Sequence, residues 1–136
     1  MLSTSIAHIS QQILDTHHAL GEAIRDKVSM LEETQVYIGL NDADTRAQKL
    51  ETDHYVSVLK TVCRMYGVPF SFNVVEGGYI HDDGEYTEER SIVLTLINVP
   101  QETVDEIAKE LCVLFHQESV LVTTDRIRMR SVRETL

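Results

Sequence analysis

The chain predicts an α+β domain of the ferredoxin-like type, a split βαβ with strand and helix order β-α-β-β-α-β, preceded by a long N-terminal helix. Three observations predict it. Four separated segments read as strands, the first by alternation of Val36, Ile38 and Leu40 against Tyr37 and Gly39 and the third by a continuous apolar centre. Two further segments between them carry apolar residues at helical spacing. An Asp-Gly pair, Asp83-Gly84, stands between the second and third strand segments as a hairpin signal. The domain division that follows is residues 1–34 as an N-terminal helix for oligomerisation or packing, and residues 35–136 as the ferredoxin-like domain.

The first helix is expected over residues 3–31, with Ser3 or Ser5 as its cap. Ile6, Ile13 and Leu20 recur by sevens, and Ile9, Thr16, Ala23 and Met30 form a second series offset by three. This is a heptad-like seam interrupted by Thr16 and Lys27, which suits an oligomer contact or packing on the body. Residues 35–40 read as a strand, with Val36, Ile38 and Leu40 on one face. After a turn at 41–44, Thr45 and Gln48 fit a capping box, with Asp53 as the alternative helix start. Asp42 and Asp44 are expected to cap that helix. Val56, Leu59, Val62, Cys63 and Tyr66 mark its buried face, and Gly67 and Pro69 stop it.

Residues 70–80 form the second expected strand, bulged at Gly77-Gly78. Residues 86–98 return as the third. Its centre, Ile92 to Ile97, is apolar on both faces, so the sheet needs cover on both sides. Pro100 precedes a helix over residues 102–115 whose inner face is Val104, Ile107, Ala108, Leu111 and Phe115. The last strand falls within 119–130, with an interruption at Thr124-Asp125. Two helices cover one face of this sheet. The other falls to the N-terminal helix or to a second subunit.

Composition narrows the function classes. The chain has 136 residues, 43% of them hydrophobic, enough for one core. Its formal net charge of −10 repels duplex nucleic acid and anionic membranes. No apolar run approaches membrane-spanning length, and no basic region followed by an apolar block opens the chain, so a cytoplasmic location is expected. Cys63 and Cys112 lie among apolar residues and read as reduced thiols.

Against this acidic body, Arg126, Arg128 and Arg130 stand two apart, so their guanidiniums share one strand face, with Ile127 and Met129 turned to the core. Such a stripe suits a phosphate, a carboxylate or an acidic partner. It also serves as charge that guards a sheet edge.

Three segments carry a resemblance: 36–48, running Val-Tyr-Ile-Gly-Leu-Asn-Asp-Ala-Asp-Thr-Arg-Ala-Gln; 78–84, Gly-Tyr-Ile-His-Asp-Asp-Gly, with Glu88; and 115–120, Phe-His-Gln-Glu-Ser-Val. Together they resemble a family of small, mostly uncharacterised bacteriophage and mobile-element proteins. They are also distantly similar to a bacterial domain of unknown function. The resemblance implies origin and fold, and raises a role against host defence.

Other polar groups have simpler readings. His81, Asp82 and Asp83 with Glu88 and Glu89 can hold a metal or act as acid and base, but a solvated hairpin tip explains them. Gln117-Glu118-Ser119 joins a helix to a strand; Glu118 can be a buried partner of an arginine, and Ser119 lacks a nucleophile setting. No metal ligand set or cofactor motif is assigned. The expected function is a non-enzymatic, phage-type binding protein that sequesters a small anionic, nucleotide-derived ligand. Arg126, Arg128 and Arg130 would hold the anion, and Tyr79 or Tyr86 would stack on a base. The pocket is expected near a contact between copies of a homo-oligomer. The alternatives are an acidic inhibitor of a host defence enzyme and, third, a small hydrolase acting on a nucleotide.

Overall fold

The computed structural model describes residues 29–134. Six elements follow one another: β1 (Ser29–Gly39), α1 (Thr52–Tyr66), β2 (Ser71–Ile80), β3 (Tyr86–Ile97), α2 (Gln101–Leu114) and β4 (Leu121–Met129). The sheet order is β2-β3-β1-β4. β3 runs antiparallel to both β1 and β2. This is the split βαβ arrangement. By its contacts the described chain divides into two compact units, Glu33–Thr124 and the described residues on either side of it. The first unit holds both helices, β2, β3 and the functional geometry below.

Alternation in β1 and β3 sorts the side chains of that unit. Val36, Ile38 and Leu40 of β1 and Ile92, Leu94 and Leu96 of β3 are fully buried on one face. They meet Leu59, Val62 and Cys63 of α1 and Val104, Ile107 and Leu111 of α2 in one core cluster. Tyr55 also joins it, with its ring 5.0 Å from that of Phe115. Burial pushes the Cys63 thiol up to about 11, which keeps it protonated and unreactive at neutral pH. Cys63 and Cys112 are both free thiols. At the edge of the core, Thr34 Oγ1 pairs with Thr124 Oγ1 at 3.1 Å and accepts from Gln101 Nε2 at 3.1 Å, so this buried hydroxyl is satisfied.

Several expected boundaries move. β1 begins at Ser29, so Ser29, Met30 and Leu31 are strand rather than the end of the N-terminal helix. The rest of that helix, with every residue of its heptad seam except Met30, lies outside the described residues. No capping box forms at Thr45. The Asp42 carboxylate takes the Thr45 amide into its own turn, and Arg46 adopts φ +58°, which no helix continues. Helix α1 starts at Thr52 after Glu51, without a side-chain cap, so Asp42 and Asp44 do not cap it.

The β2–β3 register runs unbroken through Gly77↔Glu89 and Gly78↔Glu88, so no bulge occurs there. Gly78 has a different reason. A side chain on it would collide with the Tyr86 ring. The hairpin closes with a three-residue loop rather than a two-residue turn. Gly84 N–H donates to His81 O, His81 N–H donates to Glu85 O, and Gly84 takes φ +87°. β4 is continuous through Thr124 and Asp125.

Candidate functional site

The odd-numbered residues of β1 and β3 face away from the helices. Tyr37, Gly39, Glu89 and Ser91 on that face floor a cavity of about 770 Å³. One wall is the loop after β1, with Asn41, Asp42, Ala43 and Arg46. Another is the end of the hairpin, with Tyr79, Ile80, His81 and Asp82. Gln117, Glu118, Ser119 and Leu121 complete the lining. All of these residues fall within the unit Glu33–Thr124.

Side chains of short reach hold the walls. Asp42 is buried, and its Oδ1 accepts from the Asp44 amide at 2.9 Å and the Thr45 amide at 3.4 Å, a turn closed by its own side chain. Its Oδ2 lies 3.1 Å from Lys49 Nζ. Burial acts to raise the Asp42 pKa. The Asp44 amide, Lys49, the Thr45 amide and the charge of His116 outweigh it and hold the carboxyl below its ordinary range. The loop is tied to the end of α2. Ala43 N–H donates to His116 O at 3.0 Å, Gln117 Nε2 donates to Asn41 O at 2.6 Å, and His116 Nε2 lies 3.0 Å from Asp44 Oδ2. Ligand atoms of Asp42, Asp44 and His116 lie within 4.8 Å of one another. Lys49 and two amides already satisfy the Asp42 carboxylate, so this trio reads as a loop clamp.

Arg46 fastens the hairpin. Its Nη1 donates to Asp83 Oδ2 at 3.1 Å and to Glu85 Oε1 at 3.0 Å. Glu85 and then Asp83 raise its pKa, so it stays charged and engaged. The Glu85 amide, followed by Arg46, lowers the pKa of Asp83. Glu89 is set by the chain itself: Asn41 N–H donates to its Oε2 at 3.0 Å, and Asn41 Nδ2 donates to Glu88 O at 3.1 Å. Burial first, then the charge of Glu89, raises the Tyr79 pKa, with Glu118 adding to this and Arg46 opposing it. Tyr79 therefore presents a neutral phenol beside two carboxylates.

The electrostatic balance of the lining is negative. Among the described residues, Asp42, Asp82, Glu89 and Glu118 supply carboxylates to the lining, and Arg46 is its one Lys or Arg. Arg46 is spent on Asp83 and Glu85, and Asp42 is matched by Lys49. Asp82, Glu89 and Glu118 remain without a cationic partner among the described residues. Such a cavity attracts a cation and repels a phosphate.

The residues singled out from the sequence separate. Tyr79 lines the cavity. Tyr86 pairs with Ile80 across the hairpin, and its ring lies against Gly78 on the other face, 67% exposed. Arg126 and Arg128 lie exposed on β4 and Arg130 directly follows it. Between them, Ile127 is half-buried, whereas Met129 is exposed rather than turned to the core. Glu118 is exposed and lines the cavity; it is not the buried partner of an arginine. The loop at 41–46, the hairpin carboxylates and Gln117-Glu118-Ser119 each have a bland explanation in the sequence. The fold gathers all three around one space. The signal that joined them was their shared appearance in one resemblance.

No protein-family model matches the chain, and no curated protein matches it significantly. Among solved structures, a phage SAM lyase in complex with S-methyl-5'-thioadenosine is 22% identical, covers 74% of this chain and 90% of its own, and superposes with a TM-score of 0.56. The apo state of a phage SAM lyase is 22% identical, covers 77% of this chain and 91% of its own, with a TM-score of 0.57. GlnK of B. subtilis in complex with ATP is 18% identical, covers 71% of this chain and 82% of its own, with a TM-score of 0.45. The lyase likeness establishes a shared fold with a phage protein. It also corrects the expectation of a non-enzymatic chain, because the fold found here is one that an enzyme uses. No helix among the described residues is long and apolar enough to cross a membrane.

Proposed function

We propose that this chain is a cytoplasmic, phage-type lyase acting on S-adenosylmethionine or a close sulfonium relative in the cavity described above. The observation that carries the reading is the charge of that cavity. S-adenosylmethionine bears a sulfonium and an ammonium against one carboxylate, so it is a net cation joined to an aromatic base. Asp82, Glu89 and Glu118 complement the charge, and Tyr37 and Tyr79 offer surfaces for the base. The shared fold with a phage SAM lyase in complex with S-methyl-5'-thioadenosine supports the same substrate class. It replaces the anionic ligand expected from the arginines with a cationic one.

The thioether product defines the bond. The bond between sulfur and the four-carbon amino acid chain breaks as an oxygen of the substrate's own carboxylate bonds to the carbon that loses sulfur, closing a lactone; the electron pair of the broken bond passes to sulfur, which becomes neutral. The carboxylates of the cavity bind and hold the sulfonium. Its charge disappears as the bond breaks, so they do not favour the transition state over the substrate. Rate comes instead from holding the reacting chain in one conformation away from water. Tyr79, Ile80 and Leu121 at the cavity are 48%, 67% and 62% exposed, which supports a second copy of the chain covering it. The test is incubation with S-adenosylmethionine in ¹⁸O-labelled water. The expected products are S-methyl-5'-thioadenosine and a four-carbon fragment without label, the mark of a lyase rather than a hydrolase. Intact substrate, with no thermal shift from either compound, rejects the reading.

A second reading keeps the arginine stripe. Exposed Arg126 and Arg128 at strand spacing support a contact with an acidic partner protein, such as a host defence enzyme. Arg128→Glu is expected to abolish co-purification of that partner and leave melting unchanged. An unchanged pull-down with an unchanged melt returns the stripe to guarding an edge.

A further inference from the structure

We propose that Gly39 is a positioning residue: its missing side chain lets the Glu89 carboxylate lie flat on β1, where the Asn41 amide fixes it as the cavity's charge receptor. The proposal rests on the sulfonium reading above. Gly39 sits at the end of β1 opposite Ser91 and does not occupy the left-handed region. Backbone conformation therefore does not call for glycine, and β-strands disfavour it. Space does. A Cβ built on Gly39 would stand 2.7 Å from Glu89 Cδ and 2.8 Å from Oε1, closer than real atoms approach. The colliding atoms are the far end of a flexible side chain. A methyl group there displaces the carboxylate and leaves the strand intact. Glu89 is half-buried, and the Asn41 N–H donates to its Oε2 at 3.0 Å. Gln117 Nε2 holds the Asn41 carbonyl at 2.6 Å, so the amide is anchored from the end of α2. A carboxylate held this way keeps its charge in one place without the entropy cost of ordering it when ligand arrives.

The experiment uses two ligands that differ in charge at sulfur, S-adenosylmethionine and the neutral thioether S-methyl-5'-thioadenosine. Affinities are measured for the wild type, Gly39→Ala, Glu89→Gln and the double variant Gly39→Ala/Glu89→Asp, reading KM where the substrate is turned over. Gly39→Ala is expected to melt within about 4 °C of the wild type, since the strand need not move. Its affinity for the sulfonium should fall about tenfold or more, the value of one charge-assisted contact. Affinity for the thioether should stay within about twofold, because no charge is at stake. Glu89→Gln should give the same split. In the double variant the shorter Asp makes room for the methyl group, so sulfonium affinity should recover in part. Equal losses for both ligands in Gly39→Ala, or no loss for either, overturn the proposal. A Gly39→Ala chain that does not fold also overturns it, because the carboxylate then fails to yield. Glu89→Gln, which keeps Gly39, reports separately whether this carboxylate senses the charge, and no loss of sulfonium affinity overturns that. A wild type that binds neither ligand overturns the underlying reading itself, and the proposal falls with it.

Discussion

Leu94→Ala is expected to destabilise the chain by about 2–5 kcal/mol, the range for removing a buried leucine from a packed core. Leu94 is fully buried at the centre of β3, paired with Val36 on one side and Phe72 on the other. Its face packs against Leu59 and Val62 of α1 and Ile107 and Leu111 of α2 within one cluster. Truncation removes apolar contact and leaves a space that the flanking strands cannot close, because their backbones are fixed in register. Val113→Ala is the control. Val113 is on α2 but 77% exposed, and its loss should cost no more than about 0.5 kcal/mol. Urea unfolding of the two variants beside the wild type measures both. Equal costs would mean that the two helices do not cover this face of the sheet.

The second large effect is at the cavity. Glu118→Lys should weaken binding of S-adenosylmethionine by about a hundredfold, since an attraction becomes a repulsion at short range in a partly screened site. Glu118 is exposed on the rim and takes no part in the core, so folding should be unaffected. S-methyl-5'-thioadenosine, which is neutral, should lose far less. Calorimetry with the neutral thioether and steady-state kinetics with the sulfonium measure the difference. A Glu118→Lys chain that binds the sulfonium as well as the wild type would remove the electrostatic basis for a cationic ligand.

Much of the architecture was legible because periodicity is local. Val36, Ile38 and Leu40 announce a strand face by spacing alone, and Val104, Ile107, Ala108 and Leu111 announce a helix face in the same way. Gly67 ends α1 in the left-handed conformation expected of it, and Gly84 does the same for the hairpin. The errors arose where two local signals competed. Thr45 and Gln48 have the spacing of a capping box, but Asp42 takes the Thr45 amide first, and Gln48 Nε2 reaches forward to Leu50 O and Thr52 Oγ1 at 2.9 Å. Gly77-Gly78 looked like a bulge, because the sequence holds no sign that Tyr86 needs the room at Gly78.

The site belongs to a different kind of information. Asn41, Glu89 and Gln117 are far apart along the chain, and each has a sufficient local explanation as a turn, a hairpin or a helix end. Only the order β2-β3-β1-β4 brings the end of β1, the start of β3 and the end of α2 to one place. The sign of the charge there could not be read from composition. An acidic chain with a cluster of arginines suggested an anion, whereas pairing decides which charges remain available to a ligand. Arg46 is consumed by Asp83 and Glu85, and Asp42 by Lys49, while Glu89 and Glu118 face the cavity. The sequence by itself determined which segments become strand and helix and which faces they bury, since those follow from spacing between neighbours. The tertiary structure alone decided which carboxylates meet and what charge they present, because Coulomb interactions depend on distance in space and on the partners already in place.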